Sequence, residues 1–160
     1  MKTLDNHSDE CTIGAIPFRS RTMAIAKSPA RSNVDLGSVM TAKAVLRTFF
    51  NIAEAWKLTP GEQQVLLGVS QPTAYRWRTG EVSSGLDLAT QERISYVLNI
   101  YQALQILLPV AERADTWPRL PNSAPLFGGG SALERMLGGQ IGDLKAVADY
   151  LNAQRGGDFS

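Results

Sequence analysis

The sequence predicts an all-α protein, and three observations carry that prediction. Apolar residues recur at spacings of three and four from Lys43 to Leu108, and again from Ser131 to Arg155. Capping residues and glycines stand where those runs begin and end. No segment alternates apolar and polar residues in the manner of a strand, and no internal repeat is visible.

The first helix reads from Lys43, with Val45, Phe49, Ile52, Ala53 and Trp56 on one face and Leu46 and Phe50 widening it. Thr59-Pro60-Gly61-Glu62 reads as a capping box with proline at the first helical position, opening a short helix that Gly68 stops near Leu67. Ser70 is the next N-cap candidate, for a helix over Gln71–Arg78 closed by Gly80. Asp87 and Thr90 offer starts for a long helix that ends before Pro109, with Ile94, Val97, Leu98, Tyr101, Leu104 and Leu108 on its face. Pro109, Pro118, Pro121 and Pro125 then break up the chain as far as Phe127. Ser131-Ala132-Leu133-Glu134 is a second capping box, and Asp143 reads as the cap of a last helix through Arg155, stopped by Gly156 and Gly157.

Composition narrows the possible chemistry. The 160 residues allow one domain or two small ones. Sixteen basic and fifteen acidic residues leave a formal net charge of +1, which argues against a wholly electrostatic nucleic-acid binder but not against a local basic patch. One cysteine, Cys11, excludes an intramolecular disulfide, and with the single histidine, His7, it makes at most half of a zinc site. No nucleophile, base and orienting group can be assembled, so we expect no enzyme, no catalytic residue, no metal and no cofactor. No run reaches the length of a membrane span and no secretory signal is legible, so the expected location is cytoplasmic. Residues 1–40 read as a flexible tail; a basic arm, or a start site lying instead at Met23 or Met40, are the alternatives.

Leu66 to Gly80 carries the strongest nucleic-acid signal. Gly68 permits the positive φ of a sharp turn, Val69 can fill the gap between two helices, and Ala74 and Trp77 share an inward face. Ser70, Gln71, Thr73, Tyr75, Arg76 and Arg78 are left toward solvent or DNA. Gln71 is suited to adenine, and Arg76 to guanine or a phosphate. The bland alternative is a short helix pair with a solvated polar face. The Gly-Val-Ser turn followed by Arg-Trp-Arg resembles the Xre-type helix-turn-helix family, with Pro72 as a departure in the first turn of the recognition helix. The reading is therefore a helix-turn-helix domain over 41–108 and a small helical C-terminal domain over 109–160.

That C-terminal stretch contains Phe127-Gly128-Gly129, Leu133-Glu134-Arg135-Met136-Leu137, Asp143-Leu144 and Tyr150-Leu151, ending in Arg155-Gly156-Gly157. In order and spacing it resembles the toxin-binding domain of the Xre/MbcA/ParS antitoxins, with Ala132 where that family often has proline. The resemblance implies an antitoxin whose partner is a RES-domain, NAD-consuming toxin, neutralised by covering its active site. It also implies autoregulation through operator DNA, and a homodimer or a higher hetero-oligomer with the toxin. On that resemblance the toxin-facing residues are Phe127, Gly128, Gly129, Ser131, Glu134, Arg135, Tyr150, Arg155, Gly156 and Gly157. The residues by themselves leave alternatives open. The glycine run reads also as a plain link, and Arg155 equally as a cation complementing its helix dipole. The competing function is a plain repressor whose C-terminal domain only dimerises.

Overall fold

In the computed structural model, which describes residues 38–156, seven α-helices follow one another: α1 (Val39–Ala55), α2 (Pro60–Leu67), α3 (Gln71–Arg78), α4 (Leu88–Leu107), α5 (Ala111–Thr116), α6 (Ala132–Met136) and α7 (Ile141–Gly156). A 3-10 turn, Trp117–Arg119, continues α5. Among the described residues there is no strand, only an isolated antiparallel bridge between Pro121 and Ser131. No described helix is long and apolar enough to cross a membrane. His7, Cys11, the basic residues of the expected tail and Gly157 lie outside the described residues.

Local chemistry sets most of the boundaries. Thr59 accepts the Glu62 amide at 3.2 Å while the Glu62 carboxylate accepts the Thr59 amide at 2.8 Å, so the first expected capping box is complete. Ser131 and Glu134 form the second, at 3.1 and 2.8 Å. Each box satisfies two amides that a helix start leaves without partners. Gly68 ends α2 at φ 71, in the left-handed region. A Cβ there would also stand 2.5 Å from the Arg93 Nε, so the turn needs glycine for both conformation and space.

Three boundaries and one cap differ from the sequence reading. Helix α1 starts four residues earlier than Lys43, because the Ser38 hydroxyl accepts the Thr41 amide at 3.1 Å. Val39 and Met40 therefore belong to a helix and not to a tail. Helix α5 occupies a stretch read as proline-broken: Pro109 lies ahead of it and Pro118 in the 3-10 turn, so neither ring sits in its interior. Ser70 has the backbone of an N-cap but caps no amide. Pro72 removes one of the amides a cap would reach, and the Ser70 and Thr73 hydroxyls bond to each other at 3.0 Å. Asp143 lies inside α7, which begins at Ile141, and pairs with Arg135 at 3.0 Å.

The core is continuous. Phe49 and Trp56 from α1, Leu66 and Leu67 from α2, Ile94, Val97, Ile100 and Leu104 from α4, Met136 from α6 and Leu144 and Leu151 from α7 are all fully buried in one cluster. Helix α4 is its axis: it packs on α1, α2, α5 and, most extensively, α7. Burying side chains of this size stabilises by roughly 1.5–3 kcal/mol each before chain entropy is set against it. Polar bonds add register. Asn152 on α7 donates to Asn99 on α4 at 2.9 Å. Arg93 donates to the carbonyls of Val65, at 3.4 Å, and Gly139, at 2.7 Å, joining the end of α2 to the turn before α7.

Arg119 makes the widest span. Its guanidinium donates to the carbonyls of Trp56, at 3.0 Å, and Lys57, at 2.7 Å, and to the Glu62 carboxylate at 2.8 Å. Helix α1 leaves carbonyls without partners at its C-terminus, and a cation complements its dipole there. Lys57 bends the chain at φ 55, a conformation unfavourable for a residue with a Cβ, and the arginine holds that carbonyl in place. Burial by itself pushes the Glu62 carboxyl up, but hydrogen bonds from Arg119 and the Thr59 amide, with the guanidinium charge, outweigh it and hold the carboxyl below the ordinary range.

A group whose folded-state pKa is depressed stabilises the fold fully above its unfolded pKa, and that contribution is lost as pH falls through the folded value. Glu62→Gln is expected to lower stability at neutral pH by roughly 1 kcal/mol. Thermal unfolding at pH 7 and at about pH 3 checks this, the gap between wild type and variant narrowing in acid. An unchanged gap would mean that the ionised carboxylate contributes nothing.

Candidate functional site

Two surfaces carry the residues singled out by sequence. The first is α3. Its inward face is Ala74, buried, and Trp77, half-buried against the core, as their spacing requires. The turn ahead of it seats Val69 against the core as well. Ser70, Gln71, Tyr75, Arg76 and Arg78 are exposed, and Thr73 is half-exposed. The Arg78 guanidinium lies over the Tyr75 ring, 5.5 Å from its centroid, so a cation and an aromatic face share the outer side of the helix. Tyr75 is 58% exposed, more than an aromatic ring with a packing role would be. Helices α2 and α3, joined by a tight glycine turn and packed together, present the geometry that places a short helix in a DNA groove.

The second surface is built by the Phe127 turn, α6 and α7. Phe127 is only 9% exposed and meets Trp117 and Tyr150 edge to face, with centroids 6.0 and 5.2 Å away. The following glycines form a closed turn: the Asn122 amide donates to Gly130 at 2.9 Å, the Gly129 amide to Asn122 at 3.1 Å, and the Gly130 amide to Phe127 at 2.9 Å. This is an ordered turn and not a flexible link. Gly128 and Gly129 sit at φ 55 and 90 with their outer sides open.

The structure divides the C-terminal candidates into two sets. Phe127, Ser131, Glu134 and Arg135 already have partners within the chain: an aromatic cluster, a mutual cap and the ion pair to Asp143. Gly128, Gly129, Arg155 and Gly156 are exposed, and Tyr150 shows part of its ring. Among the described residues no ion pair engages Arg155. Sequence reasoning missed Lys43 and Arg47 on α1, which line a cleft with Arg78. Their signal was a pair of cations four apart on the polar face of the first helix. No group of three metal-ligating side chains occurs among the described residues.

Comparison with known proteins finds two family matches along the chain. Residues 38–99 match the family described as the antitoxin Xre-like helix-turn-helix domain. Residues 103–157 match the antitoxin Xre/MbcA/ParS C-terminal toxin-binding domain. The chain is also 40% identical over 130 residues to the uncharacterized protein y4oB of Sinorhizobium fredii (strain NBRC 101917 / NGR234), an alignment covering 81% of this chain and 98% of that protein.

Phe127 holds the glycine turn to α7, so its loss should act through the fold. Phe127→Ala is expected to destabilise the protein by about 3 kcal/mol, within the usual range for emptying an aromatic site. Denaturant unfolding checks this. A variant of unaltered stability would mean that the ring is not needed to seat the turn.

Proposed function

Because the chain belongs to the Xre/MbcA/ParS antitoxins, we propose that it neutralises a RES-domain, NAD-consuming toxin by covering the active site, and that it represses its own operon through α3. The observation that carries this reading is the exposed end of α7. A long helix rooted in the shared core by Leu144, Val147 and Leu151 ends with Arg155 and Gly156 exposed, and its Tyr150 packs on Phe127 at the start of the ordered glycine turn. A guanidinium at such a tip suits the carboxylates and phosphates of an NAD-binding pocket. Occlusion of this kind needs no catalysis by the antitoxin, and the Gly128–Gly129 turn and Tyr150 supply the surrounding contact surface. Ser131, Glu134 and Arg135 then act mainly by shaping α6.

Operator recognition falls to Gln71, Tyr75, Arg76 and Arg78, with Ser70 and Thr73 at the helix start. One helix-turn-helix covers about half a turn of DNA, so a dimer, or a larger assembly with the toxin, would occupy a two-fold operator.

Arg155→Glu is expected to weaken toxin binding by roughly tenfold or more, about 1.4 kcal/mol, without changing the melting temperature. Titrating residual toxin activity with each antitoxin reads this out. Full neutralisation by the variant would remove Arg155 from the mechanism. Failure of wild type to bind a RES-domain protein would favour a repressor whose C-terminal region only dimerises.

Arg76→Ala is expected to abolish the shift of DNA taken from upstream of the gene while leaving neutralisation intact. Gel shifts and the same toxin titration separate the two activities. Equal loss of both would mean that Arg76 supports the fold.

A further inference from the structure

The strongest unassigned charge lies beside α3, not on it. Lys43 and Arg47 are one helical turn apart on α1 and share a solvent-exposed face. They line a cleft of about 450 Å³ with Arg78, Asn51, Gly80, Phe50 and Trp77. No carboxylate lines this cleft. An adjoining hollow places Lys43 beside Arg76, with Glu81 its one acidic group, and a second hollow on the Arg78 side adds Lys57 and Glu54. Among the described residues no ion pair engages Lys43, Arg47, Arg76 or Arg78. In a chain of net charge +1, four cations around adjoining hollows, with no ion pair to any of them among the described residues, are a concentrated local field.

We propose that Lys43 and Arg47, with Arg78, form a phosphate clamp that grips the sugar–phosphate backbone of duplex DNA while Gln71 and Arg76 face the bases. This rests on the operator-binding reading above and goes beyond it in assigning α1 a DNA contact and moving Arg78 from base reading to the backbone. The chemistry favours phosphates. The cleft offers two guanidinium forks and an ammonium but no acceptor carboxylate, and the α3 residues that line it, Trp77 and Arg78, are the last two of that helix and not its first turn, where Gln71 lies. Phe50 and Trp77 supply apolar walls along which the long cationic stems can lie.

Phosphate contacts have a signature that base contacts lack: they weaken every sequence alike and set the salt dependence. The test uses the full chain and two fluorescent duplexes, one from the DNA upstream of the gene and one scrambled, titrated by anisotropy at several salt concentrations. Lys43→Gln with Arg47→Gln is expected to weaken both duplexes by the same factor. The slope of log K against log salt should fall by about 1.8, near 0.9 for each cation removed. Arg76→Ala, by contrast, should weaken the upstream duplex more than the scrambled one. Melting temperature and toxin binding, unchanged in the double variant, exclude misfolding; Arg47→Glu alone, which removes the same two units of charge, should weaken both duplexes comparably. An unchanged slope in the double variant, with wild type binding the upstream duplex, overturns the clamp and leaves operator binding standing. Loss confined to the upstream duplex also overturns it, since that would be base reading. Wild type that binds neither duplex even at low salt removes operator binding itself, and the clamp with it.

Discussion

Everything in this protein hangs on α4 being buried on more than one side. A helix of twenty residues that sends Ile94, Val97, Ile100 and Leu104 into a common core cannot be a linker between two independent bodies. The helix-turn-helix leans on it from one direction and α7 from another. Each half therefore completes the apolar surface of the other. The arginines act on top of this. Arg93 ties the end of α2 to the turn before α7, and Arg119 ties the end of α1 and the start of α2 to the segment after α5. Hydrophobic burial gives the packing its strength but not its direction, and these fixed, forked hydrogen bonds set the orientation in which it occurs.

Much of the fold was legible from the sequence because its signals are local. The two capping boxes, the Gly68 turn and the inward face of α3 depend on residues close in sequence and appear as expected, while on α1 Phe49, Ile52, Ala53 and Trp56 are buried as read but Val45 is half-buried and Leu46 takes its place. What was not legible is long-range or depends on competition. Arg119 meets carbonyls more than sixty residues away, and no periodicity marks it. Ser70 looks like a cap until Pro72 takes away an amide and Thr73 offers a hydroxyl. Helix α5 was hidden because prolines were read as breakers when they stand at its edges.

The candidate surfaces were legible to a similar degree. The spacing of Ala74 and Trp77 fixes which side of α3 faces out, so the exposure of Gln71, Tyr75, Arg76 and Arg78 follows from helix geometry. The C-terminal motif is a mixed set. Some of its residues, Ser131, Glu134 and Phe127, are spent on shaping a turn and a short helix, while Gly128, Gly129 and Arg155 remain available to a partner. A motif alone does not distinguish residues that build a surface from those that touch what binds it.

The bond between Asn152 and Asn99 bears on how such proteins diversify. The two family matches meet within α4, between residues 99 and 103, in the middle of a continuous buried helix. Recombination at that point would give each parent's C-terminal module a foreign α4 face, with mismatched apolar side chains and an unpaired asparagine on α7. Change should therefore accumulate more readily as substitutions among the exposed residues of α3 and α7 than by exchange of whole modules. Exchange becomes workable only if α4 travels with the segment that packs on it most extensively.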